Sequence, residues 1–302
     1  MDLSTVFHMP AIHTHHQART ERIHQAIGRG TGRTITAPAQ AQAAAYALAH
    51  HILEGAEHAA RNSDQDTFAW YAEHPDAGAA HLTEAAGPLT VEPGEDGLLT
   101  SGISDTPYYV LGPTTQAAPE HLPKLTREAA DLAADHGFGD LVADHAPVVV
   151  LLDGKSLGSP LRSWTISRMP GTVVLDYVPD NPVMVGRDLV HEAGHNWLND
   201  ALTATRCEID NTQTFYSPWK KTKRPAYGFI HGCWSFSLVS LYVAAVLPTI
   251  SGETHNFLAT YLDRQRDQLR TVAGDHETAL QTISDAPLQA RLRAVYRHAL
   301  AL

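Results

Sequence analysis

The sequence predicts an α+β fold, mainly α-helical, with a small β-sheet beside a central helix carrying His191-Glu192-Ala193-Gly194-His195. Helical periodicity recurs in segment after segment, whereas only APVVVLLDG (146–154) and GTVVLDYV (171–178) have the β-branched density of strands. The second of these runs leads directly into the motif stretch, so sheet and helix are expected side by side.

From the N-terminus, AIHTHHQARTERIHQAIG (11–28) reads as a helix ended by the cluster Gly28-Arg29-Gly30-Thr31-Gly32. A second helix is expected over the Ala-rich residues 37–61 and a third over 64–74. His13, His15, His16, His24, His50, His51 and His58 make this region His-rich, but their spacing does not converge. They read as solvated or partly buried imidazoles, because a His-rich tract is only a compositional cue. The glycine cluster is no phosphate loop, since no strand precedes it and no Gly-Lys-Ser/Thr follows. Residues 75–123 hold many Pro and Gly with short apolar pieces, GLLTSGIS and PYYVLGP, that read as short strands or a connector.

A helix at 125–137 stopped by Gly137 comes next, then the two strands, with LRSWTISRMP between them placed to rim a site. The expected division is a mostly helical region over 1–123, part of the same compact unit or a small subdomain, and a metal-binding domain over 124–302.

Asn181 is a good N-cap and Pro182 a good first residue for the motif helix, 181–204. On its wheel Met184, Asp188, His191, His195, Leu198 and Leu202 share one stripe, so two histidines four apart project together, as a metal site on a helix requires. Gly194 and Ala193 are read as leaving room beside the ligands. The motif's pattern suits zinc, with Glu192 activating a bound water, and two imidazoles plus one further ligand suit non-haem iron equally. Leu198 and Ala201 stand where a metzincin needs Gly and His, and no second helical motif supplies a glutamate at gluzincin-like spacing. Glu208 and Asp210 are acidic residues further on.

A loop with five basic residues from Arg206 to Arg224 follows, and then a helix over 226–247. No charge occurs between Arg224 and Glu253, so this helix should be buried nearly all round. His231 lies on it and needs a partner: a metal held by the motif helix, or a serine or backbone carbonyl. Helices at 254–273, 275–285 and 287–301 finish the chain.

A net charge of −11 argues against a nucleic-acid partner held through its phosphates and against an anionic membrane surface. Two cysteines cannot form a disulfide framework, which is the pattern of a cytosolic chain. The N-terminus shows no signal peptide, and no stretch reads as long and apolar enough to cross a bilayer.

The stretch from Gly171 to about Val246 resembles the HExxH-motif enzymes of peptide natural-product gene clusters, which are 2-oxoglutarate-dependent peptide β-hydroxylases. The resemblance rests on three motifs in order: GTVVLDYVPDNPVMVGRDLVHEAGH, then Tyr216-Ser217-Pro218-Trp219-Lys220 with Lys223-Arg224-Pro225, then Phe229-Ile230-His231-Gly232-Cys233-Trp234. Lys220 replaces the family's usual Arg, and Lys223 stands where Pro usually precedes the second Arg. The resemblance implies iron(II) at His191, His195 and His231, with 2-oxoglutarate as cosubstrate and a peptide as substrate. It further implies a cation for the cosubstrate's far carboxylate, Arg224 first and Lys220 second, with Glu192 orienting a ligand or serving as one. Zinc with Glu192 as general base, in a peptidase, and a non-catalytic peptide-binding protein are the alternatives.

Overall fold

The computed structural model describes residues 3–32, 41–82, 87–101 and 104–302. At 61% helix and 12% strand it is the mainly helical α+β fold expected. Its helices in chain order are α1 (Leu3–Phe7), α2 (Pro10–Thr31), α3 (Gln42–Arg61), α4 (Gln65–Glu73), α5 (His121–Asp135), α6 (Gly139–His145), α7 (Pro182–Ala204), α8 (Ala226–Val246), α9 (Gly252–Thr271), α10 (Ala273–Leu280) and α11 (Ala286–Leu300). The strands are β1 (Leu89–Val91), β2 (Leu99–Ser101), β3 (Ser104–Tyr108), β4 (Val148–Gly154), β5 (Ser163–Trp164), β6 (Thr172–Tyr177), β7 (Thr214–Ser217) and β8 (Thr222–Pro225).

The main sheet has the order β1-β4-β6-β5, with β1, β4 and β6 parallel and β5 antiparallel to β6. Valines pair across its centre, Val149 with Val173 and Val150 with Val174. Because side chains alternate along a strand, the sheet divides two apolar cores. Val149, Leu151, Val173 and Leu175 face the core built by α5 to α11, while Val148, Val150, Leu152 and Val174 face the one built by α2, α3 and α4. Strand β1, from the first 123 residues, completes this sheet, and Trp197 of α7 donates from Nε1 to the Phe7 carbonyl at 3.0 Å.

Several boundaries differ from the sequence reading. Helix α2 runs through Gly28 and Gly30 and stops only at Gly32, whose φ of 68° ends it in the left-handed region. Burial of Ile12, Ile23 and Ile27 outweighs the glycine penalty of about 1 kcal/mol each. The helix expected from residue 37 begins at Gln42; residues 37–40, like Ile103 of the GLLTSGIS piece, lie outside the described residues. The basic loop after α7 contains the hairpin β7–β8, pairing Phe215 with Arg224 and Tyr216 with Lys223.

Helix α7 starts as anticipated, with the Asn181 side chain accepting from the Met184 amide at 3.2 Å. Gly194, however, serves helix packing rather than the metal: a Cβ there would stand 2.7 Å from Leu238 Cδ1 of α8. Trp234 Nε1 donates to the Gly194 carbonyl at 2.9 Å across the same contact. Helix α8 with the turn after it, Ala226–Thr249, contains an 18-residue window with a mean hydropathy of 1.6 and does meet the length and apolarity of a bilayer span, contrary to the sequence reading. Of that apolar window 78% is buried inside the protein, as expected of a core helix. Cys207 and Cys233 are free, buried thiols.

Candidate metal centre

His191, Glu192 and His195 of α7 and His231 of α8 line one cavity of about 380 Å³. Lys220, in the β7–β8 turn, and Arg224, at the end of β8, line it too. Its other walls come from Ser163, Thr165 and Ser167 around β5, and from Trp219, Tyr227 and Phe236. All six residues singled out from the sequence therefore meet, although the hairpin that carries the two cations was read as a loop. Glu208 and Asp210 stay away: Glu208 borders a neighbouring cavity, and Asp210 accepts from Thr212.

The His195 and His231 rings stack at 18°, with their Nδ1 atoms 3.0 Å apart, and the His191 ring stands edge-on to His195 at 4.9 Å between centroids. His231 Nε2 is buried with no hydrogen-bond partner, so neither the serine nor the carbonyl offered above meets it. An imidazole nitrogen left so costs about 1–3 kcal/mol unless a ligand completes it. The 3.0 Å between the two Nδ1 atoms is a spacing that two donors about 2.1 Å from one ion take at right angles, whereas the orphaned Nε2 is the other nitrogen of the His231 ring. His195 and His231 thus stand as a pair of donors, and His191 does not close a group of three with them: among the described residues only His16, His145 and Asp200 have three ligand atoms within 4.8 Å of one another.

Burial, together with the cations at Arg224 and Lys220, holds His195 down to about 4, so the ring is neutral at neutral pH. His191 and His231 are also held well below the ordinary imidazole value, first by burial and then by the neighbouring imidazole of His195. Burial pushes Glu192 up to about 8, against the hydrogen bond that Ser163 Oγ donates to its Oε1 at 2.7 Å. Its Oε1 stands 3.8 Å from His191 Nε2.

Arg224 owes its place to Gly228, one turn into α8: a Cβ there would lie 2.9 Å from the guanidinium carbon. Among the described residues neither Arg224 nor Lys220 has an acidic partner. Trp219 stacks on Phe236 at 4.6 Å and 5°, and its Nε1 donates to Gln265 of α9 at 2.8 Å, forming an aromatic wall beside His191.

Sequence reasoning missed Ser163 and Thr165, although their i, i+2 spacing puts both on one side of β5. Thr165 Oγ1 donates to Asn196 Oδ1 at 2.7 Å, as Ser163 does to Glu192, so β5 braces α7 one turn apart. A second donor group was also missed. His16 of α2, His145 of α6 and Asp200 of α7 are all buried, have ligand atoms within 4.8 Å of one another, and could hold a metal ion. This corrects the reading that the N-terminal histidines do not converge. His16 converges with residues 129 and 184 positions away, which no local spacing reveals. No family model matches the sequence, and no curated protein matches it.

Proposed function

We propose that the protein is an iron(II)- and 2-oxoglutarate-dependent oxygenase that hydroxylates a side chain of a ribosomally made peptide, at the β-carbon as the resemblance implies. The observation that carries this reading is the pair of uncompensated cations, Arg224 and Lys220, in the cavity that holds His191, His195 and His231. A peptidase that activates water on zinc has no evident use for them. A cosubstrate with two carboxylates has.

His191, His195 and His231 would hold the metal as neutral imidazoles, leaving the cavity side open. Bound there, iron(II) with 2-oxoglutarate and dioxygen supplies the oxidising chemistry, in which the cosubstrate loses carbon dioxide to become succinate and one oxygen atom enters a peptide C–H bond. Arg224 presents a planar fork for the far carboxylate, and the Gly228 backbone beneath keeps it in place. Lys220 adds a second positive charge from the hairpin turn. Glu192, held by Ser163, keeps its carboxyl 3.8 Å from His191 Nε2, beyond direct hydrogen-bond reach. Trp219 and Phe236 exclude water on one side.

Arg224→Ala should raise the KM for 2-oxoglutarate by roughly 10- to 150-fold, the equivalent of about 1.5–3 kcal/mol for a charge-assisted hydrogen bond, with metal affinity little changed. Mass spectrometry of a candidate peptide incubated with iron(II), 2-oxoglutarate and dioxygen should show a single added oxygen and matching succinate. Backbone cleavage without succinate would overturn the reading in favour of the zinc peptidase.

A further inference from the structure

We propose that His16, His145 and Asp200 form a second, structural zinc site behind the motif helix that pins α2 and α6 to α7. Asp200 is 3% exposed, and among the described residues no arginine or lysine pairs with it. A buried carboxylate in that position is compensated by a protonated neighbour or by a metal ion.

The three donors lie close enough together to share an ion. His16 Nε2 and His145 Nδ1 both lie 2.9 Å from the same oxygen, Asp200 Oδ2. Oδ1 meets only the Tyr46 hydroxyl, at 3.4 Å, longer than the ordinary O–H···O limit of about 3 Å. Donors around an ion at about 2.0–2.2 Å stand about 3–3.5 Å apart, so the two 2.9 Å contacts, of hydrogen-bond length as they stand, need open only slightly for the three atoms, all within 4.8 Å of one another, to share an ion. A shift of a few tenths of an ångström would admit it.

Two imidazole nitrogens and one carboxylate oxygen, without thiolate, are within zinc's ligand range. The His16 ring is fixed by stacking on Tyr46 at 3.8 Å and 13°, and the His145 carbonyl accepts from Asn196 at 2.8 Å, so two donors are oriented from outside the cluster. Asp200 and Tyr46 also line a cavity of about 680 Å³, which gives an ion a way in and a water a place as fourth ligand. The site is separate from the motif cavity, whose lining includes none of these three residues.

The test is zinc content per chain on the full-length protein, measured after loading with zinc alone and removing the excess. In the His191→Ala/His195→Ala variant, where the motif cavity has lost its ligands, one zinc per chain should remain, and chelation should lower its Tm. Adding His145→Gln to that background should remove this zinc. Asp200→Asn in the otherwise unchanged protein should lose one equivalent. No zinc in the double variant, or zinc that persists after His145→Gln, would overturn the proposal. If the motif cavity instead proves to bind no metal, the unchanged protein carries only the one zinc that Asp200→Asn abolishes, so the two ideas fail separately.

Discussion

At the scale of single residues, His231 and Arg224 are the informative positions, because among the described residues the Nε2 of the one has no hydrogen-bond partner and the guanidinium of the other has no acidic partner. The buried Nε2 of His231 lacks a hydrogen bond although its ring touches His195 on one side and Tyr227 on the other. If it is a ligand, His231→Ala should cost the cavity at least tenfold in iron affinity, in the range seen when groups supporting a metal are removed, and usually more. Metal titration of the apoprotein checks this. Full occupancy in the variant would move the third ligand to Glu192, the nearest remaining carboxylate. His231 was legible as a candidate because it sits in a long uncharged helix. Its convergence with His195 was expected from the resemblance and not from residue spacing, because it depends on how α7 and α8 cross.

At the scale of elements, α7 carries more than the motif. Arg187 grips Asp188 through two bonds of 2.8 Å, both residues being buried, and its guanidinium lies 5.3 Å from the Tyr261 ring. Arg187→Ala would leave a buried carboxylate unpaired and should destabilise the protein by about 3–5 kcal/mol. Arg187→Lys, which keeps the charge but loses the fork, should cost less. Urea denaturation midpoints of the two variants test the order. Elements whose cues are local, such as Asn181-Pro182 opening α7 or the valines of β4 and β6, could be read from the chain. Helix α6 could not, since seven residues show too little periodicity. The hairpin was hidden for another reason: Thr222-Lys223-Arg224-Pro225 has no apolar alternation, and its strand pairs only with β7.

At the scale of the molecule, the sheet between two cores makes stability depend on histidines far from the metal cavity. His51, fully buried on α3, accepts from the Leu111 amide at Nδ1, so its Nε2 carries the proton and donates to Thr172 Oγ1 of β6 at 3.0 Å. Burial holds its imidazole down to about 3, well below the ordinary value of 6.5. The fold therefore prefers the neutral ring: this stability is fully present above about pH 6.5 and drains away as pH falls toward 3, by up to about 1.4 kcal/mol per unit. His50 and His276, each lowered by burial to about 4, add losses of the same sign. His51→Gln should make the fall between pH 6.5 and 4 shallower, as read from urea melts across that range. An unchanged slope would mean that His51 does not titrate with unfolding.

The bond from Trp219 to Gln265 also sets an order of events during synthesis. By the time residue 246 has been added, every side chain that lines the histidine cavity has been made. Gln265 belongs to the next long helix and is still to come. The growing chain thus possesses its three cavity histidines and both cations before it possesses the latch on the aromatic wall, and until then Trp219 is not tied down.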